Sequence, residues 1–280
     1  QWSLRISSYA QRLLDGLEQV DFTPSLKEQQ RNWIGRSEGL LIDFEIEGQP
    51  QNIQVFTTRP DTIYGVSFMT LAPEHHLVQQ ITTDKHRSDI LSYLDTVSKK
   101  NERERQSNVG NPTGVFTGAY ALNPMNNEKI PIWISEYVLH GYGTGAVMAV
   151  PAGDQRDYDF AKQFNIEIKN IFNGVSLDSN AYVEKDVEYI NSPKIEGLNY
   201  YEATDVIMKI LIRKKKAIKK VNFRLRDAIF SRQRYWGEPF PIFYKNATPY
   251  PVKDKQVLLP KVDKYLPTND GRPPLGRAKR

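Results

Sequence analysis

A chain of 280 residues with 39% hydrophobic and 25% charged content is long enough to bury a sizeable core in one or two domains and too apolar to stay disordered. No apolar run approaches a membrane span, and Gln1–Arg5 lacks the apolar segment of a secretory signal, so no membrane partner is expected. Cysteine is absent, which excludes disulfides, a thiol nucleophile and Cys-ligated zinc, and suits a cytoplasmic protein. Net charge is +5 but uneven: Lys209–Arg234 carries eleven Lys or Arg against Asp227 alone, so this stretch nets +10 and the remainder −5. Such a run fits either a polyanion partner or a solvated helix face.

In chain order, Ile6, Ala10, Leu13, Leu17 and Val20 recur at three- or four-residue spacing and predict a helix over Trp2–Val20, ended or turned near Pro24. The helical pattern is already under way at Gln1, so the chain is expected to be a piece of a longer one. Lys27–Trp33 reads as a short helix stopped near Gly35. Leu40–Glu47 alternates and Gln51–Thr57 returns after Gly48–Gln49, which predicts a hairpin. Thr62–Gly65 turns into a strand at Val66–Leu71, and Pro73–Lys85 reads as a short helix begun by Pro73. His75 and His76 lie there without i, i+4 spacing or an acidic third ligand, so they read as surface residues and no metal site is expected.

Ser88–Lys100 reads as a helix, Asn101–Gln106 as a charged run and Asn108–Gly114 as turns. Val115–Ala121 and Lys129–Ile134 read as strands around a turn at Asn123–Asn127. Ala146–Val150 reads as a strand, Tyr158–Phe164 as a helix starting just after Asp157, Asn165–Ile171 as another strand and Gly174–Glu188 as an exposed hairpin or loop. Tyr201–Lys220 reads as one helix with Val206, Ile207, Ile210 and Leu211 inward and its lysines outward, and Pro249–Arg280 shows no periodicity. Many short strands with interspersed helices predict a mixed α/β fold with a barrel-like β core and peripheral helices.

Two stretches concentrate polar chemistry. Val55–Gly65, V-F-T-T-R-P-D-T-I-Y-G, runs from an apolar strand into Thr57, Thr58, Arg59, Pro60, Asp61 and Thr62. Pro60 removes a backbone donor and breaks the strand where the sheet opens to solvent. The competing reading is a capped turn, with Asp61 or Thr62 capping a short helix. His140–Phe160 has a glycine-rich turn, an apolar strand, Pro151 and the cluster Asp154, Arg156, Asp157.

Together T-T-R-P-D-T and G-Y-G-T-G-A-V-M-A-V-P…D-Q-R-D closely resemble the editing domain of class I aminoacyl-tRNA synthetases, in particular bacterial leucyl-tRNA synthetases. The flanks Asn32–Gly39, Asn123–Leu139 and Ser231–Ile242 (S-R-Q-R-Y-W-G-E-P-F-P-I) extend the resemblance in the same order over nearly the whole chain. It implies four segments: residues 1–36 from a Rossmann-type catalytic domain, 37–221 as the inserted editing domain, 222–250 as the return to the catalytic domain, and 251–280 as a linker region.

The implied activity is hydrolysis of the ester of mischarged tRNA(Leu), acting on noncognate amino acids at the acceptor end. A binding pocket gains only about 1–3 kcal/mol per methylene, so near-isosteric amino acids pass it and a second site must remove them. In the resemblance Asp157 grips the substrate α-ammonium, within a motif completed by Asp154 and Arg156. Arg156 contacts the ester or terminal adenosine, or only braces Asp157. Thr57 and Thr58, with Arg59, match the threonine-rich peptide, whose hydroxyls suit holding water and ribose hydroxyls. Thr62 is the implied steric block against leucine, being stiff at its branched β-carbon. Tyr142, Met148 and Val150 line the pocket or serve the core. Arg232, Arg234, Tyr235 and Trp236 are implied contacts to the tRNA acceptor end.

One position departs from the family: Gly153 stands where a His commonly precedes D-x-R-D. No H-I-G-H-like or K-M-S-K-S-like signature occurs, so the chain is not expected to charge tRNA; ATP and Mg belong to the parent enzyme and editing needs no cofactor. A monomer is expected. The alternative function is a non-catalytic module that binds the tRNA acceptor end.

Overall fold

The computed structural model describes residues 3–100, 112–139, 143–229, 242–246 and 248–253. The chain runs β1 (Ser3–Leu4), α1 (Ala10–Gly16), α2 (Pro24–Ile34), β2 (Arg36–Ile46), β3 (Asn52–Thr57), a 3-10 turn at Pro60–Gly65, then β4 (Phe68–Leu71), α3 (Val78–Ile81) and α4 (Arg87–Ser98). It continues with β5 (Gly114–Leu122), β6 (Lys129–Ser135), β7 (Ala146–Ala149), α5 (Gln155–Gln163), α6 (Tyr200–Arg213), β8 (Ala217–Phe223), β9 (Ala228–Ile229), β10 (Ile242–Lys245) and β11 (Thr248–Pro251). Two compact units result, one from residues 1–36 with 223–280 and one from Ser37–Asn222.

The first unit is helical with two small antiparallel pairs, β1 with β9 and β10 with β11. The helix expected over Trp2–Val20 is much shorter, because Ser3 and Leu4 pair with Ile229 and Ala228 and the chain leaves helix at Gly16. Leu13 and Val20, which the spacing turned inward, are exposed. Pro24 starts a helix rather than ending one: Thr23 accepts the Leu26 N–H, Pro24 fills the first turn, and Gly35 closes α2 in the left-handed region at φ 60°.

The second unit is built on a mixed sheet in the order β3-β2-β5-β6-β4-β7, with β8 on β2. The predicted hairpin is present, with Leu40, Ile42 and Phe44 opposite Thr57, Val55 and Ile53, all but Thr57 buried. The mixed α/β class is as expected, but the described residues form no closed barrel: the ladders trace an open path, and its end strands β3 and β7 lie against each other without pairing.

Strand β4 runs parallel to β6 and antiparallel to β7 and is buried on both faces. Met69 and Leu71 enter the main core with Ile63, Val66, Ala203, Ile207 and Leu211, whereas Phe68 packs with Ala149, Phe160 and Ala161 of a smaller cluster. Alternation along one strand thus divides the apolar interior in two.

Four further expectations change. Pro73–Lys85 holds only one short helix, α3, with a 3-10 turn at Asp84–His86. His75 is buried rather than on the surface, its ring stacked on His76 and its Nδ1 accepting the Leu77 N–H. Asn165–Ile171 is not a strand; only Phe172 makes a bridge, to Tyr189. Tyr201–Lys220 divides into α6 and β8 because Lys215 takes φ 56°, and the Asp43 N–H then binds the Lys216 carbonyl to start strand pairing. Asn101–Gln106 lies outside the described residues.

Gly39 fixes the end of β3 by closeness. A methyl there would sit 2.2 Å from the Thr57 carbonyl oxygen, which cannot move without breaking the hairpin ladder. Gly39→Ala is expected to cost about 2 kcal/mol of overpacking. Gly16→Ala, with nothing within 4 Å, is expected to be neutral or slightly stabilising. Urea unfolding midpoints of the two variants check this.

Candidate functional site

The turn after β3 is organised by Arg59. Its N–H donates to Thr57 Oγ1 at 3.0 Å, and its carbonyl accepts from Thr62 Oγ1 at 2.9 Å and from the Thr62 N–H at 3.2 Å. Thr57 therefore keeps its own hydroxyl proton to donate, Thr62 is buried with its rotamer pinned, and Thr58 is exposed.

The Arg59 side chain folds back over the turn. Its Nε donates to Asp61 Oδ2 at 2.9 Å, its Nη2 reaches the Tyr189 hydroxyl at 3.5 Å, and the guanidinium lies 5.1 Å from the centre of the Tyr200 ring. Asp61 has no exposure and also accepts from the Tyr189 hydroxyl. Asp61 therefore does not cap the turn; it is the buried counter-charge of Arg59. Burial beside Asp61 holds the Tyr189 hydroxyl protonated, its pKa raised far above the usual phenol value. Asn123 ties the turn to the strands by donating to the Ile63 carbonyl at 2.9 Å.

The second cluster sits at the start of α5, which begins earlier than expected, at Gln155. Asp154 is its N-cap and accepts the Arg156 and Asp157 N–H groups. Arg156 pairs with Asp154 at 3.3 Å and is largely exposed, so it does not brace Asp157 by an ion pair. Asp157 is buried: Oδ2 accepts the Val150 N–H at 2.8 Å and Oδ1 accepts the Tyr137 hydroxyl at 3.0 Å. Tyr137 continues to Thr70 Oγ1 at 3.2 Å. Burial, and then the neighbouring Asp154 charge, push the Asp157 carboxyl up to about 7 against the pull of these two donors and Arg156.

Among the described residues no hydrogen bond or ion pair links the two clusters. They meet at Val150, whose N–H holds Asp157 and whose Cγ1 lies 3.1 Å from where a methyl at Gly65 would sit. Met148 and Val150 are buried members of the main core. Tyr142, Arg232, Arg234, Tyr235 and Trp236 lie outside the described residues. A side chain at Gly153 would meet Phe172 and Val150 only at ordinary contact distances, so its space admits a larger residue. Part of the basic run serves the fold: Lys209 pairs with Asp205, Lys216 with Glu45, and Lys214 donates to the Pro124 carbonyl.

Sequence reasoning gave no role to Tyr137, within the Asn123–Leu139 stretch, or to Tyr189 and Tyr200, which lie in no local pattern. Of two surface cavities, of about 460 and 400 Å³, the first is lined by other residues, among them Asp43, Gln54, His75 and His76, and the second by Lys185, Tyr201 and the same Tyr200. No group of His, Asp and Glu among the described residues is arranged to hold a metal, and no helix there is long and apolar enough to cross a membrane.

The family profile described as leucyl-tRNA synthetase, editing domain, covers residues 31–212, and the chain belongs to that family. The leucine–tRNA ligase of Christiangramia forsetii is 53% identical over 99% of this chain and 29% of its own length. That of Bacteroides thetaiotaomicron is 50% identical over 100% of this chain and 31% of its own. A crystal structure of the Agrobacterium radiobacter K84 agnB2 LeuRS in ternary complex with tRNA and LeuAMS matches with a TM-score of 0.72 at 34% identity, over 99% of this chain and 32% of that one. The chain thus spans less than a third of the length of these relatives.

The raised Asp157 carboxyl carries a pH prediction. Its proton is held more tightly folded than unfolded, so this group's contribution to stability is full below about pH 4 and is lost as pH rises through about 7. Asp157→Asn keeps the Val150 N–H on its amide oxygen, can hold the Tyr137 contact only with the amide donating to the hydroxyl, and cannot ionise. Its stability relative to wild type is expected to rise between pH 4 and 8 by on the order of a few kcal/mol. Urea unfolding of both proteins across that range checks it.

Proposed function

We propose that the chain performs post-transfer editing: hydrolysis of the ester joining a noncognate amino acid to the 3′ end of tRNA(Leu). Water attacks the ester carbonyl, the bond to the ribose oxygen breaks, that oxygen takes a proton, and free amino acid and tRNA leave. The observation that carries the reading is the turn after β3 in a member of the editing-domain family, with Thr57 and Thr62 both hydrogen-bonded to the main chain of Arg59.

Thr57 and Thr58 hold water and ribose hydroxyls. Neither is a base, so rate comes from positioning and preorganised dipoles. Thr62, pinned through its hydroxyl, presents its methyl against leucine. Asp157 receives the α-ammonium on lone pairs left beyond its two protein donors, and that cation favours its ionised form. Asp154 and Arg156 hold the helix start beside it.

Residues 37–221 form the editing domain. Residues 1–36 and 222–250 are Rossmann-type catalytic-domain segments, and 251–280 is a linker, of a longer cytoplasmic and monomeric ligase. ATP and Mg belong to that ligase's charging reaction and enter no step here.

Deacylation of isoleucyl- and norvalyl-tRNA(Leu), with leucyl-tRNA(Leu) alongside, tests the reading. Wild type is expected to release only the noncognate amino acids, and Thr62→Ala to release leucine as well. Asp157→Ala is expected to cut turnover by on the order of a hundredfold, the scale of one lost preorganised electrostatic contact. Retained tRNA binding without release would instead identify an acceptor-end binding module.

A further inference from the structure

We infer that Tyr189 and Tyr200 are positioning residues that set amino-acid discrimination at the Thr57–Thr62 turn by clamping the side chain of Arg59; this rests on the editing reading above. The Arg59 peptide groups hold both threonine hydroxyls, so any swing of Arg59 moves the residue that holds water and the residue that blocks leucine together.

Three groups restrain that swing. Asp61 takes the Arg59 Nε–H at 2.9 Å, Tyr189 bonds both Arg59 Nη2 and Asp61 Oδ2, and Tyr200 lies under the guanidinium at 5.1 Å. Asp61 is a neighbour in sequence and moves with the turn. Tyr189 and Tyr200 come from a later segment, Tyr189 being 130 residues away, that is itself fixed, so among the described residues they are the groups that hold the Arg59 side chain to a distant part of the unit.

Each anchor is firmly seated. Tyr189 is 1% exposed, its N–H bonds the Leu198 carbonyl and its carbonyl accepts the Gly197 N–H. Tyr200 opens α6, whose start is held by a full capping box between Asn199 and Glu202. Lys185 lies 4.6 Å from the same ring and adds to its hold.

The clamp predicts a change in selectivity rather than a loss of fold. Tyr189→Phe keeps the ring and deletes both hydrogen bonds; Tyr200→Leu removes the cation–π face, and Tyr200→Phe retains it. The 280-residue chain and these variants are assayed for deacylation of isoleucyl- and leucyl-tRNA(Leu), and by calorimetry for binding of non-hydrolysable amide analogues of isoleucyl- and leucyl-adenosine. In Tyr189→Phe and Tyr200→Leu the preference for isoleucine is expected to fall about tenfold in both assays, the scale of one lost buried interaction, while the cooperative melting transition is kept, its midpoint lowered in Tyr189→Phe because the buried Asp61 carboxylate loses a donor. Tyr200→Phe is expected to keep it.

An unchanged preference in Tyr189→Phe, or equal loss of both rates with preference intact, overturns the clamp. So does a wild type that binds the two analogues equally. A preference lost as fully in Tyr200→Phe as in Tyr200→Leu overturns the role of the ring face. A wild type that hydrolyses neither ester refutes the editing reading, while the analogue preferences still decide the clamp.

Discussion

A carboxylate with no exposure to water sits where the chain leaves β3. Asp61 takes Arg59 and Tyr189 on one oxygen, and its other oxygen is buried without a hydrogen-bond partner among the described residues. Burying such a charge costs several kcal/mol unless an opposite charge and further donors meet it. That demand shapes the surroundings. Arg59 must fold back over its own turn rather than reach into solvent, and the segment ending at Tyr189 must pack close enough to deliver a hydroxyl. Pro60 starts the 3-10 turn that brings Asp61 beneath Arg59, and Asn123 pins that turn through the Ile63 carbonyl.

The second buried carboxylate is handled differently. Asp157 lies on the side of β4 that carries Phe68 and Thr70, with two neutral donors and no cation in direct contact, because Arg156 is taken by Asp154. Two neutral hydrogen bonds offset burial less well than a guanidinium does, and the carboxyl is pushed up to about 7. Two acids of one unit therefore differ in setting: Asp61 is locked into an ion pair, whereas Asp157 is held by neutral donors alone.

The parts that sequence made legible are those set by local rules. Alternation over Leu40–Glu47 and Gln51–Thr57 marked the hairpin, and Val66–Leu71 read as a strand after the Thr62–Gly65 turn, although its burial on both faces was not legible there. The failures came where distant pairing overrode a local pattern. Ile6–Val20 has helical spacing, yet Ser3–Leu4 is drawn into a strand with residues more than 200 positions away. The lysine-rich end of the predicted Tyr201–Lys220 helix is equally amphipathic as a helix or an edge strand, and the left-handed turn at Lys215 decides for β8. At the site, Thr57, Arg59, Thr62 and Asp157 stood out as motif residues. Tyr189 and Tyr200 did not, because a lone tyrosine gives no sign of the partner it meets across the fold.

Discrimination between amino acids that differ by one methyl position leaves little energy to work with, about 1–3 kcal/mol per group, and a steric block delivers it only if it cannot yield. A displacement of a few tenths of an ångström at a contacting methyl already relieves most of a clash, so on the editing reading proposed above the block must be tied to something stiffer than a surface turn. A buried ion pair is a poor device for raising stability, since desolvation offsets most of its attraction. It does, however, define one arrangement sharply, because any departure leaves a charge uncompensated. The Asp61–Arg59 pair, closed by two tyrosines from a separately anchored segment, has the properties of a device retained for geometry rather than for stability, and the two threonines of the turn hang from the peptide groups that it fixes.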